Sequence, residues 1–172
     1  MVFSVMIINL LLGAFYVWWS AYTSHAQADR VTYTISDLIT RQRGVTLNAT
    51  FLDGLERTAE FILDPSQNAQ IRFTQVTYRA GQLPTDPPQM TVDWSYSPCG
   101  AYPAAVAGPG FDVASLPEMA VGATMIVTDM RVPFVSRVPL IPSMTFERRA
   151  VALYRFERQF TLTGQGTTTC ID

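Results

Sequence analysis

The chain has 172 residues, a length that fits one domain with at most a small appendage. Its twelve basic and fourteen acidic residues are interspersed and form no basic block, which argues against a nucleic-acid-binding protein. Aromatic residues make up 12% of the chain, which argues against intrinsic disorder. The charges are unevenly distributed, because residues 1–28 contain none. Every basic residue is an arginine, which indicates a GC-rich bacterial gene.

The N-terminal segment predicts a transmembrane anchor over residues 1–22. Its first 19 residues contain three outside the apolar and aromatic set, which are Ser4, Asn9 and Gly13. About 20 helical residues cross the roughly 30 Å hydrocarbon core of a bilayer. Aromatic side chains at the end of the segment predict an interfacial anchor in the outer headgroup layer. These are Tyr16, Trp18, Trp19 and Tyr22.

Two alternatives compete with the anchor. Ala26-Gln27-Ala28 resembles a signal-peptidase site, so cleavage would release a soluble chain that starts at Asp29. The absence of a basic residue before the apolar run, and the length of that run, argue against a signal peptide. The other alternative is a buried core helix, which should show one polar face.

The orientation of the anchor follows from weaker indications. No basic residue precedes the segment, and the arginines downstream mildly favour a cytoplasmic domain. Long domains, however, cross the membrane largely regardless of charge. A cysteine pair favours an oxidising compartment. We therefore expect residues 23–172 to form a periplasmic α+β domain.

The anchor helix is expected to continue over residues 23–43. This stretch has no proline or glycine, its apolar residues recur at helical spacing, and Gly44 follows a cationic last turn. A second helix is predicted over residues 50–63, with Asn48 or Thr50 as its cap.

The remaining elements predict an antiparallel sheet of about four strands, on which the second helix packs. Residues 89–97 alternate between apolar and polar side chains, so Met90, Val92, Trp94 and Tyr96 are all expected to face inward. The first two strands are expected to form a hairpin. The predicted strands cover residues 70–79, 89–97, 123–132 and 145–156.

Cys99 and Cys170 are the two cysteines of the chain. In a periplasmic domain such a pair suggests one disulfide, and the alternative is two unrelated thiols. The sequence has no C-x-x-C pattern, which argues against a zinc or redox site.

Asn9 and Gly13 suggest a helix-packing face inside the membrane. A polar side chain at membrane depth is costly unless it is paired, and small residues one turn apart let helices approach closely. Ser20 and Ser24 extend this face. The alternative is that Asn9 is a tolerated polar residue.

The other polar residues predict no catalytic, cofactor or metal site. His25 is the sole histidine and reads as an interfacial residue, because a metal site or a catalytic triad needs partners that are not grouped with it. Glu56 and Glu60 lie one turn apart and are expected on a solvated face. Arg148 and Arg149 are expected to make sheet-edge or partner contacts. Asp29, Asp37 and Asp53 are further acidic helix positions with no acid–base pairing in the sequence.

Four stretches of the chain carry a resemblance to a known family. They are residues 33–41 (YTISDLITR), residues 51–55 (FLDGL), residues 116–132 (LPEMAVGATMIVTDMRV) and residues 146–150 (FERRA). With the N-terminal apolar helix, their order is similar to that of the TadE/TadG-like pilus assembly proteins, the minor pilins of the tight-adherence (Tad) system. Members of that family usually carry a basic leader, a glycine cleavage site and an early glutamate. Here the apolar run starts at Met1 without a glutamate, so either the recorded start omits upstream residues or the chain is not processed like a pilin.

The resemblance implies a pilin-like domain and a non-enzymatic pilus assembly protein of the type IV (Tad) kind. Such a protein spans the bacterial inner membrane once, with its domain in the periplasm or at the pilus and cell surface. Its implied partners are the lipid bilayer, other pilin-like helices and membrane assembly proteins. Neither a cofactor, a nucleic acid nor a small-molecule substrate is expected. The alternative is an exported soluble binding or enzymatic domain with a cleaved signal peptide.

Overall fold

A computed structural model describes residues 2–44, 46–63, 68–81, 86–105, 111–135, 143–155 and 159–164. The fold is α+β, as predicted, with a long N-terminal helix, a second helix and a four-stranded antiparallel sheet. In chain order the elements are α1 (Val2–Thr40), β1 (Thr46–Asn48), α2 (Ala49–Ile62), β2 (Gln70–Arg79), β3 (Gln89–Tyr96), β4 (Thr124–Phe134), β5 (Met144–Leu153) and β6 (Thr161–Thr163).

Helix α1 is a single helix of 39 residues that joins the predicted anchor to its predicted continuation. At 1.5 Å per residue it is about 58 Å long. It ends at Thr40, three residues before the predicted end, and Gly44 then adopts a φ of 115° as the chain turns into β1. A positive φ of this size favours glycine, so the predicted stop has a conformational basis.

Helix α2 begins directly after Asn48, which is one of its two predicted caps. The side-chain oxygen of Asn48 accepts a hydrogen bond from the backbone N–H of Thr50 at 3.0 Å, which confirms Asn48 as the cap. The apolar side chains of Leu52, Leu55 and Ala59 form its buried stripe. The helix ends at Ile62, within one residue of the prediction.

The sheet has the strand order β3-β2-β4-β5, with every neighbouring pair antiparallel. Strand β2 matches its predicted range, whereas β4 runs two residues further than predicted, to Phe134. The pairing of β4 with β2 is described as far as Arg131, and from Val132 to Phe134 its described partner is β5. A proline has no backbone N–H to donate and is excluded from strands that are paired on both sides. Pro133 is tolerated because it lies where β5 is the described partner of β4.

The predicted inward face of β3 is wrong in one respect. Gln75 pairs with Trp94 and Val76 pairs with Val92, so Asp93 is an extra residue that forms a β-bulge. A one-residue insertion reverses the alternation of side chains. Trp94 and Tyr96 therefore pack on the core under α1, while Met90 and Val92 pack on a second core on the opposite face.

Two features of the fold were not predicted. Strands β1 and β6 form a short parallel pair between Thr46–Asn48 and Thr161–Thr163. The face of the sheet opposite α1 is covered by the described parts of residues 98–116, which we call the covering loop; Phe111 and Leu116 bury their side chains there. The covering loop contains a short 3₁₀ turn at Val113–Ser115.

Candidate functional site

The N-terminal half of α1 projects from the domain as an exposed apolar rod. Nine aliphatic, methionine and phenylalanine side chains between Phe3 and Phe15 are each more than half exposed. Burying one such side chain is worth about 1.5–3 kcal/mol, so exposing this set to water costs on the order of 15 kcal/mol. The segment therefore requires an apolar environment outside the described part of the chain.

Helix α1 is long and apolar enough to cross a membrane, the one such helix in the described part of the chain. Just 6% of its apolar window is buried, so the alternative of a buried core helix does not describe this segment. A membrane anchor and a signal sequence both satisfy the same length and composition.

The C-terminal half of α1 is seated on the sheet. Four side chains at helical spacing are at most 3% exposed and belong to the core cluster, where α1 lies against β4 and β5: Ala28, Val31, Ile35 and Ile39. Beside them, the hydroxyl of Thr32 lies 3.4 Å from the sulfur of Met130. The same helix thus presents an exposed apolar surface at one end and a buried apolar stripe at the other.

Two acidic residues on α1 fix its position along the sheet. The carboxylate of Asp29 lies 2.7 Å from the guanidinium of Arg148 on β5, and that of Asp37 lies 3.1 Å from Arg155 just beyond β5. Asp37 also pairs with Arg41 within the helix, at 2.7 Å. Exposed pairs of this kind contribute at most about 1 kcal/mol each, so their main effect is to set the register between helix and strand. Arg148 is thus a contact within the chain, as one of the two predictions for it allows.

The predicted interfacial residues occupy the junction between rod and domain. Trp18, Trp19 and Tyr22 are each more than half exposed, and the rings of Trp18 and Tyr22 stack at 6.1 Å. His25 packs edge-on against Phe146 at 5.4 Å, and its Nδ1 lies 3.6 Å from the Asp29 carboxylate. Tyr16, one turn below, is also exposed.

The predicted helix-packing residues lie on the exposed rod. The side-chain amide of Asn9 donates a hydrogen bond to the carbonyl of Val5 at 2.8 Å, which satisfies part of its polar group within the helix. A Cβ added to Gly13 would meet no described atom within 4 Å. Ser24 is different, because it is buried against the domain itself and is not available to another helix. The packing role of Asn9 and Gly13 stays a prediction.

Helix α2 carries a buried acidic pair that contradicts the prediction for Glu56. Asp53 and Glu56 lie on the buried face of α2, so Glu56 is not part of a solvated face. The Oδ1 atom of Asp53 accepts a hydrogen bond from the Tyr96 hydroxyl at 2.6 Å, and Oδ2 is buried without a partner among the described residues. The pKa of Glu56 is raised to about 7, mainly by burial and to a smaller extent by the nearby carboxylates of Glu60 and Asp53. The positive charge of Arg57 lowers it by a smaller amount. Burial and the hydrogen bond to Asp53 also raise the pKa of Tyr96.

With its raised pKa, the carboxyl of Glu56 can hold a proton near neutral pH, but the acidic residues described around it do not form a metal centre. Within the described ranges, no three side chains of histidine, cysteine, aspartate and glutamate are grouped closely enough to hold a metal ion.

A row of charged side chains on the face of the sheet opposite α1 was not predicted from the sequence. Arg72 on β2, Asp129 on β4 and Arg149 on β5 lie side by side, and each guanidinium approaches the Asp129 carboxylate to 2.6 Å. Arg72 and Asp129 are about 95% buried. Arg149 lies on the edge strand β5, as one of the two predictions for it allows, and its side chain pairs with Asp129 inside the chain.

The charged row attaches the covering loop to the sheet. The guanidinium of Arg72 lies 4.2 Å from the ring centre of Tyr102 and 5.5 Å from that of Phe111, and it donates to the carbonyl of Pro103 at 2.8 Å. Arg149 lies over the other edge of Phe111, at 5.0 Å. Cation–π contacts that are shielded from water are worth about 1–2 kcal/mol each. The row is thus part of the framework of the domain rather than a substrate-binding site.

A second polar network surrounds the β-bulge. The Asp93 carboxylate accepts hydrogen bonds from Gln75 and Thr77 and pairs with Arg79 at 2.6 Å. The side-chain oxygen of Gln75 accepts from the hydroxyl of Tyr154, whose pKa is raised by burial, and from the backbone N–H of Phe160. These bonds attach the chain that follows β5 to the α1 face of the sheet.

The predicted disulfide stays a prediction. Cys99 is exposed in a 3₁₀ turn at Pro98–Gly100 and has a φ of 56°. Cys170 lies outside the described residues. A cysteine at this turn stands beside the end of β3 and close to α2.

The described residues thus bring together an exposed apolar helix and an aromatic collar, which is formed by Tyr16, Trp18, Trp19 and Tyr22. Comparisons with known protein families, with characterised proteins and with solved structures find no match.

Proposed function

We propose that the chain is a single-pass, membrane-anchored and non-enzymatic pilus assembly protein, similar to the TadE/TadG-like minor pilins. The observation that carries the proposal is the division of α1 into an exposed apolar half and a half that is seated on the sheet. Residues 1–22 lie in the bacterial inner membrane, and the α+β domain lies in the periplasm.

The packing of α1 supports an anchor over a cleaved signal peptide. Cleavage after Ala28 would cut α1 in its middle, although Ala28 is fully buried in the core. It would also remove Val17 and Ser24, which are buried against the domain, and the ring contact of His25 with Phe146. The domain is built around residues that a signal peptidase would remove, so an intact N-terminus fits the fold better.

The mechanism is mechanical rather than chemical. In the membrane the apolar rod contacts lipid, and during assembly it exchanges lipid for the helices of other pilin-like proteins. The face with Asn9 and Gly13 allows close approach of such a helix. Because the upper half of α1 is fixed to the sheet by a buried stripe and two ion pairs, a displacement of the rod moves the whole domain with it.

Membrane fractionation tests the proposal. After an alkaline carbonate wash, we expect full-length protein in the membrane pellet, with an intact mass that includes residues 1–28. A soluble chain that starts at Asp29 would instead support the alternative, an exported soluble domain, which the Ala26-Gln27-Ala28 site favours. Co-purification of pilin-like membrane proteins with the full chain tests the assembly role separately.

A further inference from the structure

The β4–β5 hairpin extends beyond the rest of the sheet, alongside the lower part of α1. Its last described rungs pair Val132 with Phe146, Pro133 with Thr145 and Phe134 with Met144. None of these residues carries a formal charge, and the first charged rung is the pair of Arg131 with Glu147. The described part of this hairpin is therefore a short two-stranded extension whose last three rungs are uncharged.

The extension reaches the depth of the aromatic collar on α1. Phe134, Met144 and Phe146 stand opposite Val17, and Val17 is just 4% exposed although its neighbours on the helix are open. The helix rises 1.5 Å per residue, so Val17 lies about 8 Å closer to the membrane centre than Tyr22. If Tyr22 lies in the headgroup layer, the end of the hairpin lies in that layer too.

An apolar groove separates the extension from the helix. It has a volume of about 740 Å³ and is lined mainly by Val17, Trp18, Tyr22, Phe134, Met144 and Phe146. His25 stands at its upper end. Among the last described residues of the two strands, Val135 is 72% exposed and Met144 is 41% exposed. Apolar side chains at this density favour transfer out of water.

We propose that the hairpin end is a second membrane contact, at which phospholipid of the outer leaflet fills the groove beside α1. The inference rests on the proposed membrane anchoring and adds a contact that the anchor does not require. Depth argues for lipid as the occupant, because the groove opens at the level of Trp18 and Tyr22, where aromatic rings prefer the headgroup layer. The domain then rests on the bilayer at two points, which fixes its tilt before assembly.

Quenching by brominated phospholipid tests this contact in the full chain. Trp18 and Trp19 are replaced by phenylalanine, and Val135→Trp supplies a reporter at the hairpin end. In phosphatidylcholine vesicles brominated high on the acyl chain, we expect the emission of this reporter to fall by about half or more. Met144→Trp on the partner strand is expected to report the same quenching, and far-UV circular dichroism verifies that each variant is folded.

Val121→Trp is the matched control, since Val121 is also an exposed valine but precedes the opposite end of β4. It lies more than about 30 Å from Val135, because β4 has eleven residues at about 3.3 Å each. Its emission should not respond to bromine. Trp94 remains in every variant and gives the common background.

The outcomes separate the two proposals. If Val135→Trp and Met144→Trp are as unresponsive as Val121→Trp while Trp18 and Trp19 of the parent chain are quenched, the second contact is overturned and the anchor stands. If the reporter is shielded from water but not quenched, a protein fills the groove and the lipid proposal is wrong. If Trp18 and Trp19 themselves are not quenched, the membrane anchoring fails.

Discussion

Neutralising Asp129 is expected to destabilise the domain more than any other single charge change in the described part of the chain. Its carboxylate is shared by Arg72 and Arg149, at 2.6 Å from each. Asp129→Asn keeps the size of the side chain but leaves the buried guanidinium of Arg72 without its counter-charge. Removing one partner of a buried ion pair costs about 3–5 kcal/mol. A typical domain has about 5–15 kcal/mol of stability in total.

The matched control lies on the adjacent strand. Glu147→Gln makes the same chemical change in the pair of Glu147 with Arg131, but that carboxylate is 61% exposed. An exposed pair is worth about 0–1 kcal/mol. Urea unfolding of the full chain in detergent, followed by tryptophan emission, measures both variants. Asp129→Asn is also expected to release the covering loop, so limited proteolysis near Tyr102 should accelerate before global unfolding. Equal losses for the two variants would refute the assignment of Asp129 as the centre of a buried ionic framework.

Three further predictions follow from other parts of the molecule. Ile35→Ala removes a buried side chain between α1 and the sheet, so it should lower the free energy of unfolding in urea by about 2–5 kcal/mol. Tyr33→Ala, on the exposed side of the helix, should change that free energy by about 0.5 kcal/mol or less. Equal effects would contradict the packing of α1 on the sheet. Because the pKa of the buried Glu56 is raised from 4.5 to about 7 in the fold, its contribution to the free energy of unfolding is fully present at low pH and is lost as the pH rises from 4.5 through 7. The loss is on the order of 3 kcal/mol. Glu56→Gln should remove this slope in pH-dependent urea titrations, while Glu118→Gln at an exposed site should retain it. Asn9→Leu with Gly13→Leu should abolish co-purification with partner membrane helices, and Ile8→Leu with Leu12→Ile on the neighbouring face should not; unchanged co-purification of the first pair would end the packing proposal.

Long periodic segments of the sequence predicted their structure well. The apolar stripe of α1 and that of α2 repeat over several turns, so each turn adds to the same signal. The Asn48 cap was one of two options, and geometry selected it through the bond to the Thr50 N–H. Strand β2 was also predicted to the residue, because it is a run of β-branched and aromatic side chains.

Features that depend on contacts between distant residues were not predictable. The β-bulge at Asp93 breaks an alternation that looked regular along the chain, and its stabilising partners Gln75, Thr77 and Arg79 lie on another strand. The ion pair of Arg72 with Asp129 joins residues 57 positions apart. Glu56 appeared solvated because Arg57 and Glu60 are beside it in sequence, yet it lies on the buried face of α2.

The candidate site shows the same division between local and distant information. Sequence composition sufficed to predict the apolar rod and its aromatic collar, because membrane residence depends on the length and polarity of one segment. The extension of β4 and β5 beside Val17 needed the structure, since it depends on the pairing of Phe134 with Met144 and on the approach of both residues to α1. A sequence therefore reveals that a chain has an anchor more readily than it reveals where the domain stands relative to that anchor.

The two ion pairs between α1 and the β5 region oppose sliding of the helix along the sheet. Asp29 and Asp37 are eight residues apart, which is about 12 Å along the helix. Sliding the helix by one turn, about 5.4 Å, would separate both pairs and displace the side chains of Ile35 and Ile39 from their buried positions at the same time. Each exposed pair contributes little to this resistance. The buried apolar side chains between the two pairs contribute more, because a closely packed core does not deform continuously. A force on the rod is therefore transmitted to the sheet before the helix slips, as the proposed role in assembly requires.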